Sequence, residues 1–389
     1  MNSWNEFGQW IASLNKGRNV IPDATKQKVQ ELTAPLKTTE EKVKAVYEYL
    51  QGKTRYVSVQ LGIGGFQPFE AAVVDQYGYG DCKALSNYMV SMLDAIGIKS
   101  NYVLIRAGRG EDYMDVDFPS TQFNHAIAAV PNGKDTIWLE CTSQTNPFGY
   151  QGSFTGDRKA LMITENGAKV VNTTKYNENH NTLIRTVDVT LAENGDATAK
   201  ASSLYSGLLY EYDGLQFTLD NTDDQRKWIE ENTKIPSFNI ASFNIKNHKN
   251  KIPTAEVNVA LELRRYASVS GKRIFLQPNL MSKNTFIPEK VDERKTKVEW
   301  DNAFTSVDTV KYKIPESIYP EFLPQPVKYS SRFGEYECDY KMDAGSLVYT
   351  RKLRMKKGIH PPEAYSELIE FMRNVSKADN TKVVFMSKT

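Results

Sequence analysis

The chain has 389 residues, 40% hydrophobic and 25% charged, with 49 Lys and Arg against 47 Asp and Glu. That length exceeds one domain of roughly 100–200 residues, so two or three domains are expected, and a formal charge of +2 offers no field for nucleic acid. No run nears the roughly 18 apolar residues of a membrane span, and three cysteines and four histidines without CxxC or HxxxH spacing suggest no disulfide scaffold, metal or cofactor.

The opening MNSWNEFGQW lacks the basic start and apolar run of a secretory signal. It reads as the inside of a helix, which favours a fragment whose targeting segment lies upstream over a protein that stays inside the cell. A helix is expected after Pro22-Asp23 with Val29 and Leu32 inward. A second is expected over about 39–51, where Thr38 and Glu41 fit a capping box and Val43, Val46, Tyr47 and Leu50 share a face. Residues 52–80, with GIGGFQP at their centre, read as an extended surface segment. No Gly-Lys-Ser/Thr follows the glycines, which argues against a phosphate loop.

From Cys82 a helix is expected to about Ile96, with Leu85, Met89, Met92 and Ile96 in one stripe and Gly97 as C-cap. NYVLIRA (101–107), FNHAIAAV (123–130) and DTIWLECT (135–142) read as strands around an acidic loop at 108–121. Glu111, Asp112, Asp115 and Asp117 lack the EF-hand spacing of a calcium site, so that loop reads as a solvated segment beside a substrate. After KYNENHN (175–181) the apolar period changes to two: Val187, Val189 and Leu191; Val257, Val259, Leu261 and Leu263; Tyr336, Cys338, Tyr340 and Met342. Two helices, near 223–233 and from Pro361 to about Ser376, interrupt this half. The boundary is placed at 178/179.

Three residues carry the chemistry. Cys82, in GYGDCKALSNYM, stands where a helix begins, and the unsatisfied N–H groups there favour a thiolate and could bind an oxyanion. His125 and Glu140 lie on consecutive strands joined by PNGKDT. A type I′ turn at Asn132-Gly133 would pair residues summing to 265, which sets His125 directly opposite Glu140. A carboxylate there can fix the imidazole tautomer and leave the other ring nitrogen for the thiol. Cys141, alternating with Glu140, and Cys338, among aromatics, read as core. Gln60 upstream is a candidate oxyanion donor, and His180, His248 and His360 carry no partner pattern.

GDCKALSNYM, FNHAIAAV and WLECTSQTNPFGY, in this order, resemble the Cys, His and acid segments of bacterial transglutaminase-like proteins, a branch of the papain-like cysteine superfamily, of the kind secreted by Bacteroidetes. Tyr56 in RYVSVQLGIGGFQPF occupies a position similar to the segment before the nucleophile. The resemblance covers roughly 35–165 and departs at Glu140, where the family usually carries Asp. It implies an α+β fold, with the Cys82 helix packed on an antiparallel sheet bearing His125 and Glu140. It also implies a periplasmic or extracellular location and β-rich accessory domains such as 179–389.

The expected activity is therefore thiol-dependent acyl transfer on a peptide or carboxamide bond, by hydrolysis or transamidation, through Cys82, His125 and Glu140. Its substrate would be a protein, peptide or peptidoglycan-like molecule. Two readings compete with it. One is a catalytically inactive binding module for protein or glycan that keeps the fold, and the other a domain whose cleft is capped by upstream sequence.

Overall fold

The computed structural model describes residues 2–59, 61–108 and 114–388. The chain folds as two units, Met1–Lys175 with Lys249–Ile252, and Tyr176–His248 with Pro253–Thr389. No helix among the described residues is long and apolar enough to cross a membrane.

The first unit opens with helices α1 (Trp4–Asn15), α2 (Asp23–Thr33) and α3 (Thr39–Lys53). The capping box that begins α3 forms in both directions: Thr38 accepts from the Glu41 amide and Glu41 from the Thr38 amide. Val43, Val46, Tyr47 and Leu50 are buried as the periodicity predicts, whereas in α2 the buried residues are Thr25, Val29 and Thr33, with Leu32 only half-buried. The segment expected to be extended is more ordered than its glycines suggest. Strand β1 (Arg55–Tyr56) pairs in parallel with β2 (Tyr79–Gly80), and between them AAVVDQY forms a helix, α4 (Ala71–Tyr77), which Gly78 terminates at φ +65°. Seven residues are too few for an apolar period to register, and the stop signal at Gly78 is the visible part of that helix.

Helix α5 (Cys82–Asp94) follows directly, then strands β3 (Asn101–Ile105), β4 (His125–Asn132), β5 (Asp135–Leu139), β6 (Lys159–Thr164) and β7 (Gly167–Asn172). They form an antiparallel sheet in the order β5-β4-β3-β6-β7. One apolar cluster joins Val29, Val46, Leu50, Leu85 and Met89 from the helices to Ala128, Val130, Ile137 and Leu139 of the sheet. Ser86 Oγ donates to the Ala126 carbonyl at 3.0 Å, fixing α5 along β4.

The β4–β5 hairpin departs from the expected register. Asn132 pairs with Asp135 and Ala128 with Leu139, so paired residues sum to 267 rather than 265. The central turn residues are Gly133 and Lys134, and only the glycine has a positive φ, +64°, as in a type II′ turn. Pro131 explains the shift. At the turn-flanking pair it would lack the N–H that pair exchanges. Opposite Thr136, next to the hydrogen-bonded Asn132–Asp135 pair, it occupies a non-hydrogen-bonded site that asks for no donor.

Helix α1 lies on the β6–β7 hairpin at unusually close range. A Cβ on Gly8 would sit 2.4 Å from the Gly167 carbonyl carbon and from the Ala168 Cβ, and the Asn5 side chain accepts from the Ala168 amide at 3.3 Å.

The second unit is β-rich. Its eight-stranded sheet runs, in spatial order, Phe238–His248, Thr254–Leu263, Ala197–Ser206, Thr182–Leu191, Phe304–Lys313, Ser346–Met355, Gly334–Asp343 and Val327–Ser331. Its neighbours are antiparallel except Thr182–Leu191 with Phe304–Lys313. A smaller sheet and helices Thr222–Asn232 and Tyr365–Asp379 accompany it.

Replacing Gly8 with Val should therefore cost about 1–3 kcal/mol through overpacking against backbone that cannot give way. Gly52, in α3 with nothing within 4 Å of an added methyl group, should gain about 0.5–1 kcal/mol as Ala. Urea denaturation of the two variants measures the contrast, which a Gly8→Val protein as stable as the parent would contradict.

Candidate active site

Asp81 caps α5, its Oδ1 accepting from the Ala84 amide at 2.9 Å, and this sets Cys82 in the first turn of a thirteen-residue helix. The N–H groups at that end carry a partial positive charge beside the thiol. The same Asp81 holds the buried Lys83 ammonium through its other oxygen. The pairing of β1 with β2 continues to this point, the Val57 amide donating to the Gly80 carbonyl at 2.9 Å, so the chain before Tyr56 and the chain before Cys82 are tied together.

His125 begins β4 and Glu140 directly follows β5. In the observed register Glu140 falls two residues short of the position opposite His125. An even offset keeps both on one face, and the side chains still meet. His125 Nε2 lies 3.1 and 3.0 Å from the two Glu140 oxygens. Thr142 donates to Glu140 Oε1 through its hydroxyl at 2.6 Å and its amide at 3.2 Å, and the Tyr47 hydroxyl donates to the Glu140 carbonyl at 2.9 Å. The edge of the imidazole faces the Phe154 ring, with centroids 5.0 Å apart. With Nε2 held by the carboxylate, Nδ1 is the ring nitrogen left for the thiol, and Cys82 lies close enough to help raise the imidazole pKa.

All three groups are buried, at 4% exposure for Cys82, 9% for His125 and 6% for Glu140. Burial alone would lower the imidazole pKa, but the Glu140 charge and hydrogen bonds to Cys82 and Glu140 push it up to about 10. Burial opposes ionisation of Glu140 in turn, and the His125 charge with the hydrogen bonds from His125 and Thr142 brings its pKa below the usual carboxylate value. The geometry is that of an imidazolium–carboxylate pair. Tyr102 lies nearby with its hydroxyl buried and unpartnered among the described residues; burial and the charges of Cys82 and Asp81 keep that phenol neutral.

The site opens into a cavity of about 240 Å³ lined by the polar side chains of Lys83, Thr121, Asn124 and His125 and by Cys82 with Phe7, Ile11, Phe66, Leu104 and Phe123. The aromatic wall was not visible in the sequence, because Phe7 and Ile11 come from α1 and Phe66 from the glycine-rich segment. Asp81 and Thr142 could have been found, the first as a residue typical of helix N-caps and the second as a hydroxyl two residues past the acid. Gln60, Glu111 and Asp112 lie outside the described residues, while Asp115 and Asp117 are exposed. Cys141 packs in the helix-covered core and Cys338 is buried in the second unit; burial pushes the Cys141 thiol up, followed by the Glu140 charge. His360 is half-buried against the Phe333 ring, with centroids 4.6 Å apart, and is less of a surface residue than its sequence context suggests.

The linkage to stability has a definite sign. The folded pKa of His125 lies above its unfolded value near 6.5, so its contribution is complete below about pH 6.5 and is lost as pH rises through about 10. Glu140, lowered from 4.5, contributes above that value and loses its contribution as pH falls through its folded pKa. Proton NMR titration should show His125 protonated beyond neutral pH in the parent. In Glu140→Gln, and in Glu140→Asp with its shorter reach, its midpoint should move down. An unmoved midpoint in Glu140→Gln contradicts the assignment of the carboxylate as the stabilising charge.

Residues 26–146 match the model of the transglutaminase-like superfamily, and residues 272–385 match DUF3858, a domain of unknown function with a solved structure. No curated protein matches the chain. A crystal structure described as a "putative protease" from Parabacteroides distasonis ATCC 8503 is similar over 97% of this chain, with a TM-score of 0.53 and 14% sequence identity. The chain spans 58% of that protein, and at this identity the likeness is one of fold. Helix α5 and strands β4 and β5, which carry or lead into Cys82, His125 and Glu140, lie within residues 26–146, the part of this chain that matches the transglutaminase-like superfamily.

Proposed function

We propose that the first unit is a thiol acyltransferase or peptidase in which Cys82 is the nucleophile, His125 the general acid and base, and Glu140 the group that orients His125. The observation that carries this reading is the convergence of Cys82, from a helix N-terminus, and His125, from a strand start, at the wall of one cavity, with Glu140 bonded to His125 Nε2.

In the first step Cys82 Sγ bonds to the carbonyl carbon of a peptide or carboxamide while its proton resides on His125 Nδ1. The tetrahedral oxyanion forms at the end of α5, where free amides and the helix dipole favour negative charge. The carbon–nitrogen bond then breaks, His125 gives the proton to the departing amine, and the acyl group remains on sulfur as a thioester. Water or an amine attacks the thioester, its proton passing to His125 and then to the released thiol. Water completes a hydrolysis and an amine a transamidation. Glu140 holds the ring through Nε2 throughout and stabilises the imidazolium. The substrate class is protein, peptide or a peptidoglycan-like molecule, and the expected location, periplasmic or extracellular, rests on the resemblance to secreted relatives.

p-Nitrophenyl acetate serves as the probe. A burst of about one equivalent of p-nitrophenolate, with the acetyl mass on Cys82, is expected in the parent. The burst should vanish in Cys82→Ala and slow by about 10²–10⁴-fold in His125→Ala, the usual contribution of a general base. Added methylamine reports the acceptor by diverting acetate to N-methylacetamide or leaving it unchanged. Acetyl on another residue, or a burst that survives Cys82→Ala, sinks the proposal.

A further inference from the structure

We infer that the cavity beside Cys82 is a specificity pocket for a large apolar side chain of the acyl donor, and that helix α1 supplies its selective wall. This rests on the acyl-transfer reading of Cys82 and adds the class of substrate to it.

The lining decides the chemistry. Beside Cys82 the lining is Phe7 and Ile11 of α1 with Phe66, Leu104 and Phe123, and the rings of Phe7 and Phe123 pack 5.8 Å apart. Two of the polar lining side chains are already engaged. Lys83 is held by Asp81, and the Asn124 amide exchanges hydrogen bonds with the Ala107 backbone at 2.7 and 2.9 Å. A carboxylate or ammonium entering among Phe7, Ile11, Phe66, Leu104 and Phe123 would lose its water against side chains that offer no hydrogen bond, a costly transfer. An apolar group gains by the same move. About 240 Å³ is ample for one large side chain, since an engineered apolar cavity of about 150 Å³ accepts benzene.

The walls are built to hold their places. Helix α1 is fixed by the Gly8–Gly167 approach, by Asn5 on the Ala168 amide, and by Trp4 Nε1 donating to the Val116 carbonyl at 2.7 Å. Phe66 stacks at a tilt on Trp10 of α1, with centroids 5.2 Å apart, and is 40% exposed, so it stands at the mouth. Leu61, 87% exposed, and Ile63, 59% exposed, continue that apolar lip into solvent, as the approach to a hydrophobic ligand would. The acyl group remains on Cys82 Sγ from the first step until the acceptor attacks in the second, whereas the leaving amine departs in the first. A pocket walled by Cys82 therefore belongs to the acyl part of the substrate. Helix α1 lies outside residues 26–146, so this selectivity is a property of the chain's own N-terminal helix rather than of the superfamily core.

The test uses N-acetyl-Xaa-Xaa chloromethyl ketones with Xaa as Phe, Leu, Gly, Glu or Lys, and iodoacetamide as a reagent without a side chain. Second-order rates of Cys82 alkylation are read by intact mass on the full chain. The Phe or Leu reagent should exceed Gly, Glu and Lys by about tenfold or more, the factor expected for burying one large apolar side chain. In Ile11→Trp, which fills the cavity, the Phe-to-Gly ratio should collapse. Phe66→Ser, at a half-exposed position that tolerates substitution, should lower the same ratio and serves if the Trp variant fails to fold. Equal rates for Phe, Gly and Glu with selective iodoacetamide labelling of Cys82 overturn the pocket and leave the thiol reading standing. Failure of every reagent at Cys82 overturns both.

Discussion

The pair formed by His125 and Glu140 is the interaction on which the rest of the first unit depends. Each charge is removed from water, at a cost of several kcal/mol per ion unless partners replace the solvent. Here the partners are specific: two carboxylate oxygens on Nε2 and two donors from Thr142 on Oε1, with Cys82 near enough to favour the charged ring. The imidazole starts β4, Glu140 and Thr142 follow β5 and Cys82 starts α5, so the cluster assembles only when all three elements are in place. The helical layer over Ala128, Val130, Ile137 and Leu139 provides that placement, with Tyr47 of α3 holding the Glu140 backbone from the far side.

What the sequence made legible follows from how local each signal is. The capping box at Thr38, the stripe Leu85–Met89–Met92 and the alternation in the second unit are set within a few residues and appear where expected. The pairing of His125 with Glu140 was also readable, but through a register that does not form. An Asn-Gly preference pointed to one turn, and the missing N–H of Pro131 selected another two residues away in the pairing sum. The contact survived because strand faces repeat every second residue, so an even slip keeps both side chains on one face, where Glu140 reaches His125 from the diagonal position. Helix α4 was hidden for the opposite reason, its seven residues being shorter than two helical turns. The aromatic wall of the cavity was hidden because nothing local links Phe7, Phe66 and Phe123, which lie far apart in the chain and meet only in tertiary structure.

The second unit, taken by itself, is organised around charge as well. Arg351 forms a two-pronged contact with Asp379, at 2.7 and 3.0 Å, and lies 3.5 Å from Asp308, which in turn meets Arg185 at 3.3 Å. Tyr336 donates to Asp379 at 2.8 Å. These groups are buried and come from four strands and the last helix, so the network ties that helix to the large sheet. The period-two alternation marked the strands but could not reveal the network. Arg185, Asp308 and Arg351 interrupt apolar runs as ordinary charged residues do, and only the pairing of their strands brings them together.

The acid's identity follows from the same register. With paired residues summing to 267, Glu140 stands diagonal to His125 rather than opposite it, and the strand has already ended at Leu139. A diagonal neighbour is about 7–8 Å away across a sheet, against about 4.5–5.5 Å for a facing residue. The longer glutamate arm covers the difference that an aspartate at this position would leave open. Thr142 then holds the carboxylate at the end of that arm, restricting the extra torsion that the added methylene introduces. The departure from aspartate and the turn that Pro131 imposes are therefore one adjustment: a hairpin that shifts the acid along the sheet is matched by a side chain long enough to return to the imidazole.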